Sequence, residues 1–376
     1  MERHLHIISF DVPFPANYGG VIDVYYKLVA LKEQGVKVTL HCFTYGRSEA
    51  LELDKLCEQV HYYPRKTGLL ANLSLMPYTA KSRQSKALED NLLKDDHPVL
   101  FEVLHTCYLL NDPRFKSRKK IYRHSNIEHD YYRELSKSER NILKKIFLKV
   151  EAWKLKRFES ILRFADLILA VNQKDTAYFL EKYPRVKTLY LPSFHPQDRV
   201  SIQLGKGDYI LFQGNLSVSE NYEAAIWIVE QVFSKLEFKC VIAGLNPPDF
   251  LRELIQKYDH IELIANPGHA HMNQLIQAAQ VHVLYTAQPT GLKLKLLNVL
   301  FKGRFVVCNP NMVSGTDLMQ NGTLRLCSTG PQYIAHITSC MAADFTLGDA
   351  EERAKLVVPF DNAVNAEKLI GVVFLS

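Results

Sequence analysis

The chain has no run of about 18 uncharged apolar residues, the length a helix needs to cross a bilayer, so a membrane-spanning protein is not expected. Its opening, MERHLHIISFDVPF, lacks both the apolar stretch and the small-residue cleavage site of a secretion signal, and a cytoplasmic location is expected. Seven cysteines, an odd number with no C-x-x-C pair, argue against a disulfide framework and a zinc site. Cys42, Cys107, Cys240 and Cys308 read instead as small core residues in strands. There is no G-x-G-x-x-G, so a dinucleotide fingerprint, and with it a nicotinamide oxidoreductase, is not expected. No short-period repeat is present, which removes solenoids and propellers. Without a helix-turn-helix, RNP-type aromatics or a zinc finger, nucleic acid is not expected as a partner.

What is present fits an ordinary globular protein. Hydrophobic residues make up 47% of the chain and charged residues 23%, which excludes disorder. At 376 residues it is too long for one core and suits two domains. The net charge of +6 is unevenly spread: residues 1–195 carry +9 and the remainder −3. Runs such as Arg114–Arg123 and Lys144–Arg163 concentrate the excess. They read either as solvated helix surface or as a face for phosphates of lipids or of a lipid-linked acceptor, so peripheral contact with the inner face of a membrane is an expectation.

The order of elements points to doubly wound α/β. The strand-type run His4–Phe10 is followed by DVPFPANYGG, a helical segment Val21–Leu31, Gly35 and a second strand Val36–Phe43, a βαβ unit that requires a parallel sheet. Val99–His105, Lys120–Tyr122 and Leu167–Val171 continue as strands, the last introduced by a long basic helical region Leu135–Phe164. Leu191–Gly207, rich in proline, glycine and polar residues, reads as a linker, which places the boundary near Pro196 and the domains at 1–195 and 196–376. The alternation then restarts, with strands at Tyr209–Phe212, Phe238–Ala243, Ile261–Ile264, Val281–Tyr285 and Arg304–Cys308, helices at Glu223–Leu236 and Met272–Gln280, and a loop at Gly214–Asn221.

Ligands of open parallel sheets bind beyond the carboxyl ends of strands. Gly19 and Gly20, between a strand and a helix, would let a sugar or phosphate approach the backbone, or they form only a turn; Gly214 and Asn215 follow the first strand of the second half. The segment YTAQPTGLKLKLLNVLFKGRFVVCN, Tyr285–Asn309, reads as strand, loop, basic helix and strand. A helix starting at Gly291 leaves its first N–H groups unpaired, which suits an anion. Lys293 and Lys295 add positive charge where the dipole alone would favour acids. Asn298 falls on the face of residues 291 and 295, within reach of a group beyond a phosphate. The alternative is a surface helix packing Leu292, Leu296, Val299 and Leu300 inward, its lysines solvated. In the first half His105, Asn126, Glu128 and His129 follow the third and fourth strands, where an imidazole can bind a hydroxyl or carry a proton, or simply be a satisfied core group. His4, His6 and His61 read as structural.

Together these motifs resemble the retaining glycosyltransferases of the GT-B fold, in particular the family 4 group. The resemblance rests on PFPANYGGVIDVYYKLVALKEQGVKVTL, HSNIEHDYYRELSKSERNILKKIFLKVEAWKLKRFE, YILFQGNLSVSENYEAAIWIVEQVF, FKCVIAGLNP and GLKLKLLNVLFKGRFVVCN, and extends over almost the whole chain. It implies two Rossmann-like domains facing a central cleft. The second would hold a nucleotide-sugar donor through Gly19, Gly20, Gly214, Asn215, Thr290, Gly291, Lys293, Lys295 and Asn298, the two glycines coming from the first domain. The first would hold a glycan or lipid-linked acceptor through Asn17, Tyr18 and Asn126, with His105, Glu128 and His129 as catalytic candidates. No metal and no cofactor are implied, the nucleotide-sugar being a substrate.

The chain departs from the pattern at three places. The family often has two glutamates eight positions apart; here those places hold Thr290 and Asn298. Many members carry Arg and Lys after the first strand of the second domain, where this chain has Asn215 and Glu220. The expected function is hexose transfer from a UDP- or GDP-sugar with retention, in cell-surface polysaccharide synthesis. The rival is a catalytically weakened GT-B protein that binds nucleotide or glycan as a subunit. A non-hydrolysing sugar-nucleotide epimerase would share the fold but would carry more acids and histidines in the second domain.

Overall fold

The computed structural model describes residues 3–68, 74–139, 141–288 and 293–375. The chain divides into two compact units. The first holds the described residues up to Pro196 together with those from Phe360 onward; the second holds the described residues from Gln197 to Pro359.

The first unit is built on a seven-strand sheet ordered β3-β2-β1-β4-β5-β6-β7. The strands are β1 (His4–Ser9), β2 (Lys37–Thr44), β3 (Gln59–Pro64), β4 (Val99–Glu102), β5 (Lys120–Arg123), β6 (Leu167–Ala170) and β7 (Lys187–Tyr190). Every neighbouring pair is parallel. The central strands are buried on both faces; β6 is the apolar run LILA, whereas β4 (VLFE) and β5 (KIYR), also buried along their whole length, carry Glu102 and Arg123 into a buried ionic cluster. The helix Gly19–Glu33 closes on Gly35, whose φ of +71° permits the bond from Val36 N to Leu31 O at 3.0 Å that ends the helix and starts β2. Helix Asn362–Phe374 supplies Ala366, Leu369, Ile370 and Val373 to the same core as Leu5, Ile7 and Leu28.

The second unit has a six-strand parallel sheet ordered β10-β9-β8-β11-β12-β13. Its strands are β8 (Ile210–Asn215), β9 (Cys240–Leu245), β10 (Ile261–Ala265), β11 (Val281–Leu284), β12 (Phe305–Cys308) and β13 (Leu324–Leu326). One core of Ile210, Phe212, Ile228, Val283, Val307 and Tyr333 fills a face of it.

Three differences from the sequence-based expectation have physical causes. The basic region Leu135–Phe164 is two helices, Glu128–Ser138 and Ile142–Phe158, followed by a 3-10 turn, because Asn141 caps the second: its Oδ1 accepts from Lys144 N at 3.1 Å. β4 stops at Glu102 rather than running to His105, since Val103 turns the chain with φ +57°. The edge strands β3, β7 and β13, which the apolar runs do not announce, read QVHYYP, KTLY and LRL; an edge exposes polar residues and needs no apolar run.

Two buried polar groups underlie the first sheet. Lys27 Nζ reaches Glu102 Oε1 at 2.5 Å and Asp23 Oδ2 at 3.2 Å, and Arg123 forks onto Asp23 with both contacts at 3.1 Å. Across β1 and β2, His6 Nδ1 and His41 Nε2 are 2.9 Å apart, His6 Nε2 is 3.0 Å from Asp95, and His41 Nδ1 is 2.8 Å from the Tyr63 hydroxyl.

Candidate functional site

In each sheet the strand order reverses direction beside the first strand, between β1 and β4 and between β8 and β11. The crevice beyond the carboxyl ends at such a point is where open parallel sheets bind ligands. Most of the candidate residues fall at these two places, one in each unit.

In the first unit the loop after β1 carries Asn17 and Tyr18, both exposed, into the helix that starts at Gly19, which has no side-chain cap and so leaves its first N–H groups open. The loop is shaped by residues that no motif marked. Tyr18 donates to Asp11 Oδ2 at 2.7 Å, Arg47 donates to Asn17 Oδ1 at 2.9 Å, and the Arg47 guanidinium lies 5.4 Å from the centre of the Tyr18 ring. A Cβ at Gly20 would come within 2.5 Å of the tip of the Phe10 ring, so a side chain there requires that ring to swing aside.

Beyond β4, Val103 holds a left-handed φ that is costly for a β-branched residue, and His105 follows in a 3-10 turn. Strain of this kind persists where surrounding structure fixes a side chain for use. His105 Nε2 lies 3.3 Å from Glu128 Oε2, with both side chains nearly buried. The oxygen is off the N–H axis, and Nε2 has no hydrogen-bond partner among the described residues. Glu128 and His129 begin the helix Glu128–Ser138, and Asn126 is half-buried in the bend before it. His129 belongs to a different group: its Nδ1 is 3.1 Å from Glu159 Oε2, and Glu159 also accepts from Tyr178 and Lys182. Although burial opposes ionisation of Glu159, those bonds hold its carboxyl down at about 2. His129 is thus tied into a buried ionic network, whereas the buried His105 Nε2 lies beside Glu128 without a hydrogen bond.

In the second unit β8 and β9 approach so closely that a Cβ on Gly244 would sit 2.0 Å from the Gly214 carbonyl oxygen. Asn215 is exposed and folds its loop by accepting from Ser217 Oγ at 2.7 Å. The helix that follows starts at Ser219, earlier than the loop expected to Asn221, and Glu220 therefore lies in its first turn. Helix Leu294–Lys302 follows β11, with Lys293 at its cap position and no side-chain cap; the expected start at Gly291 is corrected to Leu294. Thr290 and Gly291 lie outside the described residues.

Lys293 and Lys295 are brought together with the first turn of the helix that follows β8. Lys293 Nζ lies 3.3 Å from Glu220 Oε1, and Glu220 also accepts from the Thr286 hydroxyl. Lys295 Nζ donates to Asn221 Oδ1 at 3.0 Å, and Asn221 Nδ2 donates to Asn215 O at 2.9 Å. Burial pushes the Lys295 ammonium down to about 8. Burial opposes ionisation of Glu220, but Lys293, Thr286 and Lys295 hold its carboxyl below the usual range. Asn298, half-buried on the same helix, accepts from Gln197 Nε2 at 3.1 Å. The arrangement offers two ammonium groups and two uncapped helix starts to an anion. Among the described residues no cluster of His, Cys, Asp or Glu is arranged to hold a metal, and no helix is long and apolar enough to cross a membrane.

No family model matches the chain. It is 28% identical over 359 residues to an uncharacterised 44.6 kDa protein in the cps region of Klebsiella pneumoniae, covering 88% of this chain and 89% of that one. Among solved structures it is similar to TarM, with a TM-score of 0.70 at 10% identity, over 100% of this chain and 99% of that one. It is also similar to the pneumococcal O-GlcNAc transferase GtfA bound to UDP and GlcNAc, with 0.65 at 10% identity over 99% and 98%. A third is Anabaena HepE bound to UDP and glucose, with 0.59 at 13% identity over 100% and 96%.

The fold is GT-B. Likeness at such low identity carries the architecture of the GT-B glycosyltransferases and leaves the chemistry to this chain's own residues.

Proposed function

We propose that the protein is a glycosyltransferase that moves a hexose from a UDP- or GDP-sugar to a glycan or lipid-linked acceptor, with retention at the anomeric carbon. The observation that carries the proposal is the meeting of Lys293 and Lys295 with the first turn of the helix that follows β8, at the switch point of the second sheet. These ammonium groups and the helix starts at Ser219 and Leu294 supply fixed positive charge for a diphosphate leaving group, and no metal is invoked. Gly214, Asn215, Thr290, Gly291 and Asn298 are proposed to complete the donor site; in the first unit Gly19 and Gly20 are separately proposed to meet donor groups through backbone N–H groups. His105, oriented by Glu128, is the proposed catalytic imidazole. Asn17, Tyr18 and Asn126 are proposed to meet the acceptor.

The UDP bound in the HepE and GtfA complexes supports the donor class, and the relative in a cps region supports a place in cell-surface polysaccharide synthesis. The 1–195 portion, with the last helix packed back on it, is proposed as the acceptor-binding domain and the rest of 196–376 as the donor-binding one, in a cytoplasmic protein. Thermal-shift titration with UDP, GDP and ADP, followed by transfer assays with the matching sugars, tests the proposal: a saturable shift with one nucleotide and turnover of its sugar is expected.

A second reading is favoured by the Gln197–Asn298 bond, which engages the side chain that would otherwise reach a ribose, and by the missing glutamates. It makes the protein a nucleotide- or glycan-binding subunit, and predicts the same shift with no turnover.

A further inference from the structure

Helix Ile142–Phe158 shows an outer face that no other described residue covers. Ile142, Leu143, Ile146, Phe147, Val150 and Trp153 recur at helical spacing and are between 41% and 78% exposed. Single exposed apolar side chains are ordinary, but six on one helix form a continuous stripe. The opposite face fixes the helix in place: Ala152 and Leu155 are buried, and Glu151 accepts from Tyr78 N at 3.0 Å and Thr79 N at 2.9 Å. Glu151 is the helix's one acid and it is buried in that contact, so every charge the helix shows to solvent is positive, with Lys144, Lys145 and Lys149 between the apolar positions and Lys156 and Arg157 at the end.

We infer that this face is a docking surface for an anionic lipid bilayer. Apolar residues flanked by lysines, with a tryptophan among them, form the pattern of a helix lying in a membrane interface, where the rings and aliphatic chains enter the acyl boundary and the ammonium groups reach lipid phosphates. The same chemistry continues at the helix end in a hollow of 360 Å³, where Leu75, Met76, Ile161 and Phe164 meet Arg157 and Arg163. A second copy of the chain is disfavoured as the occupant, because it would bring two faces of the same positive sign together. A lipid surface of opposite charge satisfies both the stripe and the lysines. The inference does not depend on the transferase activity.

The test is sedimentation of the full chain with phosphatidylcholine vesicles, with and without phosphatidylglycerol, at low and high salt. Binding to the anionic vesicles that weakens with salt is expected. Changing Lys144, Lys145 and Lys149 together to Ala should lower the partition coefficient about a hundredfold, and Leu143→Glu with Ile146→Glu should abolish binding even at low salt. The variants alter exposed positions apart from the half-buried Lys145, and an unchanged melting temperature verifies that they fold. No binding of the parent protein to anionic vesicles at low salt overturns the inference. So does a dimer in sedimentation velocity that Leu143→Glu dissociates, since the face would then be a subunit contact.

Discussion

Lys293 Nζ lies 3.3 Å from Glu220 Oε1, across a sequence separation that no motif spans. The pair joins the first turn of one helix to the cap of another beside β8 and β11, and it sets the charge available to a ligand. Loss of a hydrogen bond to a charged group costs roughly 1.5–3 kcal/mol. Lys293→Ala and Lys295→Ala are therefore each expected to weaken nucleoside diphosphate binding by about 10- to 100-fold in titration calorimetry. Glu220→Gln frees Lys293 and is expected to tighten it. Unchanged affinity in both lysine variants would place the diphosphate elsewhere.

Lys295 makes nucleotide binding sensitive to alkali. Burial brings its ammonium down to about 8, and a bound diphosphate raises it again by adding negative charge. The protonated form therefore binds more tightly. Affinity should be flat below about pH 8 and fall by up to tenfold per unit above it, and Lys295→Met should remove that slope.

His105 is expected to carry proton transfer or charge beside the leaving group. His105→Ala should lower kcat by about 10²- to 10⁴-fold while nucleotide affinity is kept. Glu128→Gln, which acts by positioning the imidazole, should lower kcat less and shift the pH profile. His129→Gln should chiefly reduce stability, because Glu159 loses a buried partner.

The histidine pair in β1 and β2 predicts acid lability of the first unit. Burial lowers the His6 imidazole from 6.5 to about 4, and it lowers His41 as well. Both are favoured neutral in the fold, so their contribution is complete above about pH 6.5 and is lost as pH falls toward 4, while the unfolded chain takes up protons. For His6 alone the loss is about 3 kcal/mol. Urea midpoints measured between pH 7 and 4.5 should fall accordingly, and His6→Asn should flatten the dependence.

Lys27 sits against Glu102 and Asp23 with no exposed surface. Lys27→Met leaves two buried carboxylates facing only Arg123, and a loss of about 3–5 kcal/mol is expected in denaturant unfolding. A smaller loss would mean that Glu102 takes up a proton instead, in keeping with the upward pull of burial on its carboxyl.

The parallel α/β class was legible because central strands buried on both faces favour continuous apolar runs such as those of β6 and β12. Edge strands escape that constraint, which hid β3, β7 and β13. The lysines of the candidate site were visible as charges out of place at a helix start. Their partners were not: Glu220 and Asn221 meet them only through the sheet, Arg47 reaches Asn17 from a separate loop, and Asp11 holds Tyr18 from within the same loop. The strain at Val103 was invisible because valine is an ordinary strand residue. The exposed stripe of Ile142–Trp153 was masked by the lysines between its members.

Because Ala366, Leu369, Ile370 and Val373 complete the same core as Leu5 and Leu28, the first 196 residues emerge from the ribosome without the last pieces of their own interior. The second unit, in contrast, is encoded in one span. The interior of the amino-side unit thus becomes complete only after the whole second unit has been synthesised, against simple vectorial order.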